Sequence, residues 1–307
     1  MKIKATDVKE LREKTGAGMM DCKRALVECS GDFEQAIDWL RTKGLAAAAK
    51  KSGRAAADGL VGLIADGNQA ALVELNSETD FVSRNDQFQA LIGQILNVAL
   101  AQHGDLKKIL SSQYPTSSKT VEEEIISHIA IIGENMNLRR AVYHKAENGV
   151  VSSYLHNAVA SGLGKIGVLV TLESAGDKEK LLEVGKKVAM HIAAARPESL
   201  SVDQLDARLV EREKDILTEQ AKASGKPDAV IAKMVEGRIS KFYGEVVLLE
   251  QEFVMDNKLK VREFIASQES YVGAPIALTS FTRFELGEGV EVEEKNFADE
   301  VASIVKK

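Results

Sequence analysis

The sequence predicts an α+β fold with several separate cores, and three observations carry that prediction. Strand-like apolar runs and helix-like periodic segments follow one another irregularly, without the repeating strand–helix–strand order of a doubly wound sheet. Leu60–Ala65 and Gln69–Leu75 flank the turn Asp66-Gly67-Asn68, a hairpin signal that demands antiparallel pairing. Two charged helical stretches, Asp203–Ala223 and Asp228–Phe242, are joined only by Ser224-Gly225-Lys226-Pro227, which makes them an inserted antiparallel helical hairpin. At 307 residues, 45% hydrophobic and 28% charged, the chain has ordinary globular composition and length for roughly two or three domains.

The first segment reads as three short helices. Thr6 is placed to cap the first, which carries Val8 and Leu11 and ends at Gly16 and Gly18. A second spans Met19 to Glu28 and stops at Gly31. Asp32 caps the third, with Gln35 placed for a capping-box-like pair; its apolar face is Phe33, Ala36, Ile37 and Leu40, and Gly44 ends it. Such a bundle is similar to a ubiquitin-associated domain. Cys22 and Cys29 share the stripe Cys22, Ala25, Leu26, Cys29, with Cα atoms about 10 Å apart at ~1.5 Å per residue, too far for a disulfide. Packing is their expected role. Met19 and Met20 leave that stripe in different directions, which suits either a soft contact surface or filler at a frayed helix end. Leu45–Ala57 reads as a helical linker closed by Asp58-Gly59.

After the hairpin comes Thr79-Asp80-Phe81-Val82, an acid beside an aromatic where a strand gives way to a helix. That helix follows Ser83-Arg84-Asn85-Asp86 and buries Phe88, Leu91, Ile92, Ile95, Leu96 and Ala99. Its face projects back to Phe81, but Arg84 and Asn85 interrupt it. Phe81 is therefore a local staple or an exposed wedge, and spacing alone favours the staple. A Ser/Thr-rich loop covers Ser111 to Thr120, a helix Val121 to Ile131, and a pair of strands flanks Asn148-Gly149 and runs through Tyr154 and His156. Gly167–Leu172 is a strand, and Lys178–Ala195 a helix that stops before Pro197. The first arm of the helical hairpin has only Leu205, Leu209, Ile216 and Leu217, so it is expected to project or to touch another chain. Strands are expected at Glu245–Glu250, Ala277–Thr282 and Arg283–Leu286. Asn296 or Asp299 opens a last helix carrying Phe297, Val301 and Ile304.

A net charge of −6 argues against nucleic acid as the partner, because neutralising phosphates takes a positive field. The basic run Lys50-Lys51-Ser52-Gly53-Arg54 suits a solvated helix face. No apolar run is long enough to span a bilayer, and Met1-Lys2-Ile3-Lys4 lacks a signal-peptide core, so a cytoplasmic protein without a membrane partner is expected. Gly162-Leu163-Gly164-Lys165-Ile166-Gly167 is a literal GxGxxG, but it precedes an apolar strand, whereas a dinucleotide site needs these glycines to open a helix. A flexible loop is expected there. There is no P-loop, no zinc-like spacing among the five histidines, and no nucleophile elbow. No catalytic residue, cofactor or metal is expected, and the chain does not read as an enzyme.

Val8 to Lys23, Thr79 to Val82, Ile132 to Asn135, Gly167 to Val170, Met190 to Ala194, Met234 to Arg238 and Arg283 to Gly289 resemble, in order, the signatures of the bacterial translation elongation factor Ts family. The likeness runs end to end, although the stretch between His156 and Gly167 is longer than in the shortest members. It implies a two-subdomain α/β-sandwich core with antiparallel sheets. The implied division is 1–57 for the N-terminal bundle and linker, 58–145 for one half of the core, 146–200 with 244–286 for the other, 201–243 for a dimerisation-type hairpin, and 287–307 for a C-terminal module. The implied function is guanine-nucleotide exchange on elongation factor Tu: binding its GDP form, disturbing its Mg²⁺ and phosphate site, and binding the nucleotide-free form. Thr79, Asp80, Phe81 and Val82 match the residues that dislodge the partner's Mg²⁺. Arg12, Met19, Met20, Ile132, His156, Phe253, Val254 and Met255 match partner-binding residues. A homodimer or a two-to-two complex stays open, and the alternative is a ubiquitin-associated-type adaptor or ribosome-bound scaffold without exchange activity.

Overall fold

Residues 3–222 and 227–290 are described here from a computed structural model of the chain. The helix expected over Asn296 to Lys307 lies outside them, as do Ser224, Gly225 and Lys226 of the expected hairpin turn.

Helices α1 (Ala5–Thr15), α2 (Met19–Glu28) and α3 (Phe33–Lys51) pack around Val8, Leu11, Cys22, Ala25, Leu26 and Ala36. Thr6 is inside the first turn of α1 and does not cap it. The chain enters that helix two residues earlier, at Lys4, whose backbone N–H donates to Asp7 Oδ2 at 3.1 Å. Asp32 caps α3 by accepting from the N–H of Gln35 (2.9 Å) and from its side-chain amide (3.3 Å). Both cysteines are free, Cys22 within the core and Cys29 at its edge. Ile37 faces outward instead of joining the buried face.

Gly44 does not end α3, which runs on to Lys51 and carries the expected linker as its second half. The reason is packing. Gly44 sits against α6 (Val121–Ile132), where an added Cβ would lie 3.4 Å from that of Ala130, and Ala48 reaches the next core. Arg41 pairs with Glu123 across the same two helices. A glycine's cost inside a helix is about 1 kcal/mol, small enough for tertiary contact to override.

Strands β1 (Asp58–Asp66) and β2 (Gln69–Ser77) form the predicted hairpin, with Gly67-Asn68 alone in the turn. Then follow α4 (Asp86–Ala101), a short α5 (Leu106–Ser111) that the sequence reading missed, α6, and β3 (Met136–Lys145). Next are β4 (Gly149–His156), β5 (Leu163–Gly164), β6 (Ile166–Glu173) and α7 (Lys178–Ala195). The strands flanking Asn148-Gly149 belong to different sheets, β3 to one and β4 to the other. One sheet has the order β3-β2-β1-β5, antiparallel throughout.

The hairpin helices are α8 (Ala207–Lys222) and α9 (Asp228–Val246), which share a small core of Ala221, Ile231 and Val235. α8 starts later than expected, so Leu205 lies ahead of it. α9 runs past Phe242 through the expected Glu245–Glu250 strand, which is instead helix end plus a 3₁₀ turn at Leu248–Glu250. A two-strand ribbon, β7 (Glu252–Phe253) with β8 (Asp256–Lys260), and α10 (Val261–Val272) were not foreseen. β9 is one strand, Ala277–Glu285, bent by a bulge opposite Thr171/Leu172, and not two. It completes the second antiparallel sheet, β4-β6-β9.

The two sheets pack face to face, with helices on their outer faces. Ala71, Val73 and Leu75 of β2 point at α4, α5 and α6, while Ala70 and Leu72 face Val151, Leu169 and Phe284 of the second sheet. Val168, Val170 and Leu172 of β6 point the other way, at α7 and α10. Strands covered on both faces read as continuous apolar runs. The seam admits one buried carboxylate. Glu74, fully buried, accepts from Arg139 (3.2 Å), Arg140, the Asn76 amide (3.0 Å) and the N–H of Gly287 (2.9 Å). Pairing on this scale is what lets a charge stay in an interior.

The GxGxxG segment is part of this seam and not a flexible loop. Gly62 and Val61 of β1 pair with Leu163 and Gly164 of β5. A Cβ on Gly167 would lie 2.8 Å from both Leu72 and Val61, so close sheet approach accounts for that glycine without a nucleotide.

Candidate functional site

β2 ends at Ser77, and the chain then makes one knuckle before α4 begins. Asn85 caps α4 by accepting from the N–H groups of Gln87 (2.9 Å) and Phe88 (3.2 Å), so the helical periodicity starts anew there. Between them, Val82–Arg84 forms a single 3₁₀ turn. Val82 goes into the core at 5% exposure, whereas Phe81 is 80% exposed. The staple reading of Phe81 is thereby overturned. Its buried role is filled by the next residue.

The knuckle is tightly held although its tip is bare. Ser83 Oγ donates to the carbonyl of Asp80 at 2.6 Å, the Gln89 amide to that of Ser83 at 2.9 Å, and Ser77 Oγ to that of Thr79 at 3.1 Å. Glu134 Oε2 accepts the N–H of Thr79 at 2.9 Å and its Oε1 accepts the Thr79 hydroxyl at 2.6 Å. In the other direction, Glu78 accepts the N–H of Asn135 at 2.6 Å, and the Asn135 amide donates to the carbonyl of Arg54 at 2.8 Å. Glu134 reaches the knuckle because Gly133, at φ 90°, reverses the chain after α6, a conformation that glycine adopts without strain. Among the described residues, none hydrogen-bonds the Asp80 carboxylate, which is exposed beside Phe81.

Ile132 is the last residue of α6, half-buried against the core next to this clamp. His156 is exposed at the end of β4, its Nδ1 3.1 Å from the Tyr154 hydroxyl. On the bundle, Arg12 and Met19 are exposed, and Met20 is 68% exposed.

A second tip stands on the β7–β8 ribbon. Phe253, expected at its surface, is 2% exposed; its ring stacks on Phe264 at 4.1 Å between centroids, beneath the tip. Val254 and Met255 are the exposed part, at 51% and 45%. Buried His191 fixes them from below. Gln251 donates its amide to the carbonyls of Glu245 (2.8 Å) and Ala195 (3.3 Å), which turns its oxygen toward His191 Nε2 at 2.9 Å. The imidazole therefore carries its proton on Nε2, and its Nδ1 accepts the N–H of Val254 at 3.2 Å. Burial pushes the pKa of His191 below its ordinary value, against the smaller opposing effect of the Gln251 bond.

The structure thus separates the sequence-matched residues into a knuckle, a ribbon tip and a bundle face. Sequence reasoning quoted Glu134, Asn135 and His191 inside motifs but gave them no role. The signal for Glu134 was its place directly after Gly133. Among the described residues no cluster of three or more His, Cys, Asp or Glu is arranged to hold a metal ion, and no helix is long and apolar enough to cross a membrane.

Residues 78–288 match the family described as Elongation factor TS. Proteins named Elongation factor Ts are similar along essentially the whole chain. The one from Rhodospirillum centenum is 56% identical over 302 residues, 98% of each chain. That from Rhizobium etli is 56% identical over 304 residues, 99% of each, and that from Bartonella bacilliformis 55% identical over 306, 100% of each. With a knuckle, a ribbon tip and seven-tenths of its length inside that family's match, this chain belongs to the elongation factor Ts family, whose members serve translation elongation in protein biosynthesis.

Proposed function

We propose that this chain is a guanine-nucleotide exchange factor for elongation factor Tu, acting in the cytoplasm by binding and without covalent chemistry. The observation that carries the reading is Phe81, four-fifths exposed beside an unpaired Asp80 on a knuckle that is otherwise fixed. A large aromatic held in water is a poor way to stabilise a fold and a good way to enter a partner.

The mechanism is linkage. A protein that binds the nucleotide-free partner more tightly than the GDP form weakens GDP binding by the same factor. Mg²⁺ bridging and phosphate-loop contacts hold the nucleotide in such partners. Phe81 would wedge between structural elements of the partner, and Asp80 would disturb the groups that position its Mg²⁺. Val82 supports the wedge from inside. Arg12, Met19 and Met20 would hold the partner's nucleotide domain through the ubiquitin-associated-like bundle, with Ile132 beside the knuckle and His156 at the end of β4 adding contacts. Val254 and Met255, seated on Phe253, would grip a second domain.

The test mixes the protein with elongation factor Tu carrying a fluorescent GDP and follows its release. Accelerated release in catalytic amounts supports exchange. Binding without acceleration would leave the adaptor reading in its place.

A further inference from the structure

We propose that Glu134 is a positioning residue for exchange: with Glu78 it forms a reciprocal carboxylate clamp that sets the Asp80–Phe81 knuckle in its projecting form before any partner arrives. This rests on the exchange reading above and adds a residue that acts through Asp80 and Phe81.

Thr79 presents two donors, its N–H and its hydroxyl, on one side of the strand end. A carboxylate can take both at once with a separate oxygen for each, and Glu134 does so at 2.9 and 2.6 Å. The exchange of side chains is mutual. Glu78, just before the knuckle, takes the N–H of Asn135, just after Glu134. Arg54 closes the ring: its guanidinium lies 3.4 Å from Glu78, and its carbonyl accepts from the Asn135 amide. The residue that follows Thr79 starts the tip, so fixing Thr79 fixes where Asp80 and Phe81 leave the sheet. From the far side, Ser83 and Gln89 fix where the chain re-enters α4.

An exposed aromatic gains nothing from the fold at its own position. Without the clamp the knuckle would sample other conformers. In a complex already held by the bundle and the ribbon tip, the wedge then engages only in the fraction of molecules whose knuckle projects, and the rate at saturation falls by that fraction. A carboxylate suits this task better than an amide. Glu134→Gln keeps one oxygen for the Thr79 N–H and turns its NH₂ to the hydroxyl, which can accept, so it preserves the geometry with weaker neutral bonds.

The experiment compares wild type, Glu134→Ala, Glu134→Gln, Phe81→Ala and Glu134→Ala/Phe81→Ala in stimulated release of fluorescent GDP from elongation factor Tu. Hydrogen exchange of the free proteins is measured over residues 79–84. Glu134→Ala is expected to lower the maximal stimulated rate about tenfold, the scale of losing charge-assisted hydrogen bonds, with a small change in half-saturating concentration. Glu134→Gln should recover most of it. In the Phe81→Ala background Glu134→Ala should cost much less, because most of its effect passes through Phe81 and only the share carried by Asp80 is left. Amides over 79–84 should exchange faster in Glu134→Ala while those of the α4 interior do not.

Unchanged rate in Glu134→Ala, or an equal further loss on top of Phe81→Ala, overturns the positioning role. Unchanged amide exchange overturns the clamp itself, whatever the rates. If Glu134→Ala melts too early to assay, Thr79→Val, which removes one donor from the other side, must give the same pattern or the proposal fails. Failure of the exchange reading looks different: wild type then does not accelerate release, or Phe81→Ala matches it.

Discussion

Phe81 and the pair Val254–Met255 are both exposed hydrophobes set next to a buried one, Val82 in the first case and Phe253 in the second. The means of fixing them differ. The knuckle is held by carboxylates, Glu134 and Glu78, which accept backbone N–H groups. The ribbon tip is held by a neutral imidazole, His191, and by stacked rings. The knuckle's exposed residue contributes nothing to the core, so its geometry and the fold's stability can be altered separately. At the ribbon the foundation is the core, and the two cannot be separated.

The largest expected effect breaks the ribbon. Phe253→Ala removes a fully packed ring and should cost about 3–5 kcal/mol of stability, read as a lower denaturant midpoint, and partner binding should fall with it. A midpoint shift under ~1 kcal/mol would mean that Phe253 is not the foundation.

Phe81→Ala should do the converse. Its midpoint should stay within ~0.5 kcal/mol of wild type, as for surface substitutions, while stimulated GDP release falls at least about tenfold. A chelator sharpens this contrast. Asp80→Ala/Phe81→Ala should be strongly impaired with Mg²⁺ present and much less impaired once the ion is removed, if displacement of the ion is what these residues do. An unchanged relative defect would assign the effect to distortion of the phosphate loop.

Val254→Ala/Met255→Ala should weaken binding several-fold, by ~1 kcal/mol or more from lost apolar contact, and equally in both buffers. A magnesium-dependent loss here would erase the distinction between wedge and grip.

The smallest effect is the pH dependence. Burial holds the pKa of His191 below its ordinary ~6.5, and that of His144, buried between the sheets beside Thr171 and Thr282, is lowered for the same reason. The unfolded chain then binds protons first as pH falls. Stability is complete above about pH 6.5 and declines below it. Protonated His191 also cannot accept the N–H of Val254. Hydrogen exchange at pH 5.5, corrected for intrinsic rate, should quicken at Val254 and not at Thr79. Equal protection at both sites across that range would show that imidazole and carboxylate hold their tips alike.

Much of this was legible in the sequence, for identifiable reasons. The stripe Phe88, Leu91, Ile92, Ile95, Leu96 and Ala99 is entirely buried, and α7 has the bounds its caps Asp177 and Arg196 impose. Elements that satisfy their own ends and bury one face announce themselves. α10 did not, because its start is closed by the backbone of Lys260 and the Glu263 side chain, with no Ser, Thr, Asp or Asn at the cap. The continuation of α3 through Gly44 depends on Ala130, more than eighty residues away in sequence, which no local pattern contains. At the site, the polar interruption by Arg84 and Asn85 was visible but ambiguous. Asn85 proves to be a cap that resets the helix, so no periodicity could be carried back across it to Phe81. Phe253, Val254 and Met255 look alike in sequence. Only Phe264 and His191, brought from elsewhere, decide which of them turns inward.

The glycine at the sheet seam sets a length. The knuckle rides on β2 of one sheet and the ribbon tip on the layer covering the other, so the gap between sheets fixes the reach from Phe81 to Met255. At Gly167 the sheets approach closely, with Leu72 and Val61 already occupying the space a methyl would need. Two tips that grasp one partner behave as a tethered pair, the second engaging at an effective concentration that depends on span and not on its own contacts. On the proposed two-tip contact, Gly167 would act as the stop of a calliper: one added carbon there would touch neither tip and would still loosen the grip of both.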